Sequence, residues 1–300
     1  MTVDPRPPHP LDRLRGGGIR GGLLRLGLAA LVLGLVFYFG GADAWTRVAR
    51  PEVVPWLLGG ALVHVAQRTV RIAKWADMLA ETPLRRKDFP YLLQTQLVGM
   101  LANLVIPASE AMKVWAISRD KKDAVVGSSS IVGDTAMHAA GMGAVGCLGA
   151  ALTGTREPLI WAGGGILLLG SSAVVLVCRV WPKAVRGKVR YGGPRTWFWL
   201  LWEVGLQAFT YGLAFRAIEL DLSTPTVMAI APLLFLADIV MVTPSGLGVR
   251  EGLFAAVLEV LGNAPPDAAI AVGLMVSAMM FAASLLGGVI GLLLSGRFED

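Results

Sequence analysis

Runs of mostly apolar residues recur along almost the whole chain. They lie near 22–41, 55–79, 89–106, 124–152, 158–178, 197–218, 225–243 and 267–294, with a shorter apolar helix at roughly 247–261. A helix crossing the hydrocarbon core of a bilayer needs about 20 such residues. Lipid offers no partners for backbone polar groups, so spanning segments close their hydrogen bonds within helices or closed barrels. Of the 300 residues, 55% are hydrophobic and 16% charged. Little is left for a soluble domain, and the chain reads as an all-α polytopic membrane protein whose chemistry takes place in or at the bilayer.

The net charge of +6 sits in short loops between the apolar segments. That pattern sets membrane orientation and does not call for nucleic acid. Cys147 and Cys178 fall far apart in apolar segments and read as small core residues. No zinc or redox spacing is present, and no metal or cofactor is expected. Residues 1–21 are basic and rich in Pro and Gly, which predicts a disordered cytoplasmic tail ahead of a single transmembrane domain over 22–296. Ala42-Asp43-Ala44 has the small residues of a signal-peptidase site. The apolar stretch before it exceeds the usual h-region, so an uncleaved first helix is expected.

Two segments are interrupted. GMLANLVIPASEAMKVWAISRD (99–120) and FLADIVMVTPSGLGVREGLFAAVLEVLG (235–262) each have an apolar run, a break at Pro107 or Pro244 among small residues, and then an acid and a base. Broken helices survive at membrane depth only where they are buried in protein or line a polar cavity. A matched pair of them points to a transporter binding site.

Charge bias orients the segments. Arg179, Lys183, Arg186, Lys188, Arg190 and Arg195 form a run without acids, and Arg13, Arg15, Arg20, Arg85, Arg86, Lys87, Arg119, Lys121 and Lys122 join it on the cytoplasmic side. Segment 89–118 thus has cytoplasmic charge at both ends and is expected to be a re-entrant hairpin. Segment 225–262 is flanked by Glu219, Asp221 and Asp267 and is expected to re-enter from the outer side. The expected architecture is about six spanning helices plus two opposed re-entrant helical hairpins, with both termini inside. Units of about 55–152 and 197–294 form an inverted repeat. Trp45, Trp56 and Trp161 fall at the outer ends, and Trp75, Trp115, Trp181, Trp197 and Trp199 at the inner ends, as an aromatic belt does.

Polar residues inside these segments are the candidate site. His64, Gln67, Arg68, Arg71 and Lys74 share about 120° of helical arc. Lys74 is close enough to the inner end to snorkel. Arg68 lies deeper, where an arginine costs roughly 2.5–3.5 kcal/mol to insert and must face protein or a wet cavity. Ser130, Asp134 and His138 recur at i, i+4 and i+8, and Glu203, Gln207 and Tyr211 share a face of segment 197–218. The substrate-binding candidates are Arg68, Arg71, Asn103, Ser109, Glu110, Lys113, Asp134, Ser245, Gly246, Gly248, Arg250 and Glu251. The proton-coupling candidates are His64, Asp134, His138, Glu203 and Asp238. Helices starting at Ser109 and Gly248 would present free N–H groups at depth, suited to a phosphate oxygen with Arg68 or Arg250 as a forked partner. The alternative is an ion-pair network that only pins the hairpins. Ser284, Gly287, Gly288, Gly291 and Ser295 permit close helix packing, either internally or in a homodimer.

HVAQRTVRIAKWADML, the first interrupted segment, the Asp134 helix and TPSGLGVREGLF resemble the flippase-like transmembrane region of lysylphosphatidylglycerol synthases. The resemblance covers nearly the whole chain and is most specific from Pro244 to Glu251. It is looser at the first break, where Ala108 and Ser109 stand in place of a usual glycine. It implies transport of a lipid across the bacterial inner membrane: an aminoacylated phospholipid, a polyprenyl-linked sugar or a hopanoid. The synthases' aminoacyl-transferase domain has no counterpart here, so synthesis of lysyl-lipid is not expected. Two other readings compete: a non-transporting partner subunit of a glycosyltransferase or lipid synthase, and an intramembrane enzyme using Ser245 and His138. The second lacks a nucleophile elbow or metal motif.

Overall fold

A computed structural model describes residues 43–82, 84, 88–103, 109–118, 121–180, 189–239, 249–262 and 264–295. The expected helix at 22–41, the breaks at Pro107 and Pro244, Trp181, and Ser245, Gly246 and Gly248 lie outside the described residues, as do the side chains of Ser109 and Ser295.

A helical turn at 43–48 and a 3-10 turn (Pro51–Val53) lead into α1 (Val54–Leu79). Then follow α2 (Phe89–Ala102), α3 (Ser109–Ile117), α4 (Lys121–Thr153), α5 (Pro158–Val180), α6 (Pro194–Ala217), α7 (Thr224–Ile239), α8 (Val249–Val260) and α9 (Pro266–Ser295). Among the described residues there is no strand. Helices α4, α5 and α9 are long and apolar enough to cross a bilayer. Helices α1 and α6, with 26 and 24 residues, are long enough too, but carry buried charges that lower their hydropathy.

Glycine sets the closest contacts. A Cβ on Gly143 of α4 would stand 2.5 Å from the Leu168 backbone nitrogen on α5, and one on Gly146 would stand 2.1 Å from Pro232 Cγ on α7. The small-residue stripe of α9 is used internally: Gly287, Gly288 and Gly291 seat Leu97, Val98, Met100 and Leu101 of α2. Of the two cysteines, Cys178 is buried and Cys147 packs against Gly164.

The short helices come in pairs. Tyr91, in the first turn of α2, donates to the Ala116 carbonyl near the end of α3 (3.3 Å), so α3 returns to the end from which α2 started. Arg250 at the start of α8 meets Asp238 at the end of α7, and α8 then leads through a short turn into α9. Helix α2 packs antiparallel to α9, with Leu97 at Gly291 and Leu101 at Gly288. Helix α7 packs antiparallel to α4, with Ala229 at Gly149 and Pro232 at Gly146.

The loop from 189 to 193 ties three helices together at one end. Arg190 donates its backbone N–H to the Met78 carbonyl (2.9 Å), and the Tyr191 hydroxyl donates to the Ser129 carbonyl (3.0 Å). Thr196 donates to Asp77 (2.6 Å). Trp45, Trp56, Trp115, Trp161 and Trp197 are exposed, as belt residues are. Trp75 departs from that expectation. It is buried, and its indole N–H donates to Ser130 Oγ at 2.9 Å, because α4 covers this end of α1.

Candidate functional site

The polar face of α1 turns inward, against α4 and α6, and organises two layers. In the layer nearer the end of α1, Arg71 meets Asp134 of α4 at 2.7 Å and donates to Thr135 Oγ1 at 2.9 Å. Lys74 pairs with Glu203 of α6 and, at 3.0 Å, with Asp134. His138 Nδ1 lies 2.6 Å from Glu203. Lys74 and Glu203 are fully buried. The expectation that Lys74 snorkels to the inner surface therefore fails: two carboxylates from neighbouring helices hold its ammonium inside. Buried charges survive when paired in this way, and in this layer the pairs join α1, α4 and α6.

The second layer centres on Asp238. Its Oδ2 accepts from the Tyr211 hydroxyl (2.5 Å) and from Gln207 Nε2 (3.2 Å), and its Oδ1 lies 2.6 Å from Arg250 Nε. Arg250 also donates to Ser277 Oγ (3.0 Å), which in turn donates to Glu251. Gln67 Nε2 donates to Gln207 Oε1 (2.6 Å), linking α1 to this cluster. A third pair, Glu110 and Lys113, lies within α3 at 3.0 Å.

Between the layers lies a cavity of about 300 Å³. Every helix except α5 contributes to its wall. Arg68, Arg71, Asn103, Glu110 and Arg250 line it, as do His64, His138 and Asp238. Lys113, Asp134, Glu203 and Glu251 do not; each is held by a residue of the wall, Lys113 by Glu110, Asp134 by Arg71, Glu203 by His138 and Glu251 by Ser277. Gln96, Thr135 and Ser277 line it without having stood out in the sequence. The available signal was an isolated amide or hydroxyl in an apolar run, which is weak because such groups also bond their own helix backbone.

Arg68, half-buried, differs from the other bases of this region. Its Nε donates to His64 Nε2 at 3.2 Å, and among the described residues no carboxylate lies within ion-pair distance of it. Around the cavity the bases Arg68, Arg71, Lys74, Lys113 and Arg250 are matched in number by Glu110, Asp134, Glu203, Asp238 and Glu251. The match is not local, however, and the guanidinium of Arg68 faces the cavity. Two residues of the wall, Ile239 and Phe281, are also 45% and 48% exposed on the outer surface.

Long apolar helices around a buried polar centre define a multi-pass helical membrane protein. The family model for the lysylphosphatidylglycerol synthase TM region matches residues 22–288, so the chain belongs to that family, which ties it to membrane lipid. No curated protein and no solved structure matches the chain.

Proposed function

We propose that this protein is a lipid flippase of the bacterial inner membrane. The headgroup of an anionic lipid or lipid-linked precursor crosses through the central cavity while its chains stay in the bilayer. The carrying observation is Arg68, a cation with no carboxylate within ion-pair distance among the described residues, facing a cavity whose wall includes exposed Ile239 and Phe281. A half-buried guanidinium facing a protein cavity favours a phosphate or carboxylate strongly. Apolar wall residues exposed on the outer surface suit acyl or polyprenyl chains better than a soluble solute. Aminoacyl-phospholipids, polyprenyl-phosphate-linked sugars and hopanoids are the candidate classes.

The short-helix pairs support an inverted repeat of two opposed re-entrant hairpins. Helix α9 of the second unit packs on α2 of the first, and α4 of the first unit packs on α7 of the second. Such reciprocal exchange is what a pseudo-twofold axis in the membrane plane produces, and carriers of this build rock one unit against the other. His138, which lines the cavity and contacts Glu203, is the side chain best placed to couple transport to protons. Both termini are placed in the cytoplasm by charge bias.

The test is reconstitution into liposomes with mass spectrometry of the co-purifying lipid. Wild type should enrich one anionic lipid and accelerate its translocation. Arg68→Ala should lose both while remaining monodisperse. Identical bulk lipid in both proteins, with no translocation, would overturn the carrier reading in favour of a partner subunit.

A further inference from the structure

Resting on the carrier reading, the hydrogen-bond network around the cavity further constrains what lies beside the anion. Asp238, when ionised, can only accept, so Gln207 must turn its amide nitrogen to it. That leaves Gln207 Oε1 as the acceptor for Gln67 Nε2, which fixes the amide orientation of Gln67 and turns its Oε1 away from the network. Arg68 can only donate, so His64 Nε2, its acceptor, is unprotonated and the neutral ring carries its proton on Nδ1.

Among the described residues, Gln67 Oε1 and His64 Nδ1 have no hydrogen-bond partner, although both side chains are only 2% exposed and line the cavity. Gln96 Oε1, on α2, is in the same condition. Positions 64, 67 and 68 are one helical turn apart and share a face. Helix α1 therefore presents an N–H donor, a C=O acceptor and a guanidinium side by side. Buried polar groups are rarely left unsatisfied without a reason.

We propose that the cavity recognises a phosphate ester bearing free hydroxyl groups, a polyol or sugar headgroup. Arg68 holds the phosphate oxygens, while a hydroxyl accepts from His64 Nδ1–H and donates to Gln67 Oε1. A hydroxyl both donates and accepts through one atom, so it matches this neighbouring pair. An ammonium could only donate and would leave His64 unsatisfied. A site built for a hydroxyl discriminates strongly against the analogue that lacks it, since the site's own polar groups then stay unpaired.

The experiment compares two lipids of equal charge in nanodiscs: phosphatidylglycerol, with two free hydroxyls, and phosphatidylpropanol, with none. Wild type should bind phosphatidylglycerol at least about tenfold more tightly. In Gln67→Met, with monodispersity confirmed by size-exclusion chromatography, the ratio between the lipids should fall towards one. Equal binding of both lipids by wild type overturns the hydroxyl subsite and leaves the anionic-lipid carrier standing. Binding of neither overturns the carrier reading itself. Displacement of phosphatidylglycerol by free glycerol phosphate at comparable concentration would keep the hydroxyl chemistry and replace the lipid with a soluble ester.

Discussion

Replacing Lys74 with methionine separates pinning charges from binding charges. Lys74 is fully buried and holds Glu203 and, at 3.0 Å, Asp134. With Arg71 it balances the two carboxylates of this layer. Methionine keeps most of the volume and removes one positive charge, leaving two buried acids with one base. Breaking a buried pair costs about 3–5 kcal/mol, because the uncompensated charge stays inside. At about 2–4 °C per kcal/mol, a loss of about 3 kcal/mol lowers the unfolding midpoint by roughly 6–12 °C. Adding Glu203→Gln restores neutrality and should recover most of the midpoint. The assay is thermal unfolding in detergent, followed by tryptophan fluorescence, for wild type, both single variants and the double. A Lys74→Met midpoint within about 2 °C of wild type at pH 8, or a double variant no better than the single, would refute the pairing argument.

Two further outcomes follow from packing and titration. Gly146→Ala drives a Cβ to 2.1 Å from the Pro232 ring and should cost about 1–3 kcal/mol through overpacking, whereas Gly165→Ala, with nothing within 4 Å, should leave the unfolding midpoint unchanged or raise it. Burial pushes the Tyr191 phenol, in the loop after α5, up to about 12. The unfolded phenol titrates near 10. The stability this residue contributes is therefore present below pH 10 and lost as pH rises through 12, and Tyr191→Phe should lack that component in a pH series of unfolding midpoints.

Helix positions were readable because long apolar runs have few alternatives in lipid. The segments expected at 55–79, 124–152 and 197–218 became Val54–Leu79, Lys121–Thr153 and Pro194–Ala217. The polar faces of α1, α4 and α6 were also legible from helical spacing, since residues three and four apart share a side. Spacing could not say which residues would meet. Asp134 and Arg68 looked equally like binding residues. The three-helix contact gave Asp134 to Arg71 and Lys74 and left Arg68 facing the cavity.

From sequence alone, then, came the solvent this chain requires, the helices that satisfy its backbone there, and the faces on which charge would lie. These are local consequences of hydropathy and of 3.6 residues per turn. The partner of each charge, the burial of Lys74 and Trp75, and the place of Gln96 and Ser277 in the cavity wall were decided by the tertiary structure. Pairing depends on which helices approach and at what depth, and glycines such as Gly143 and Gly146 set that through contacts between residues distant in the chain.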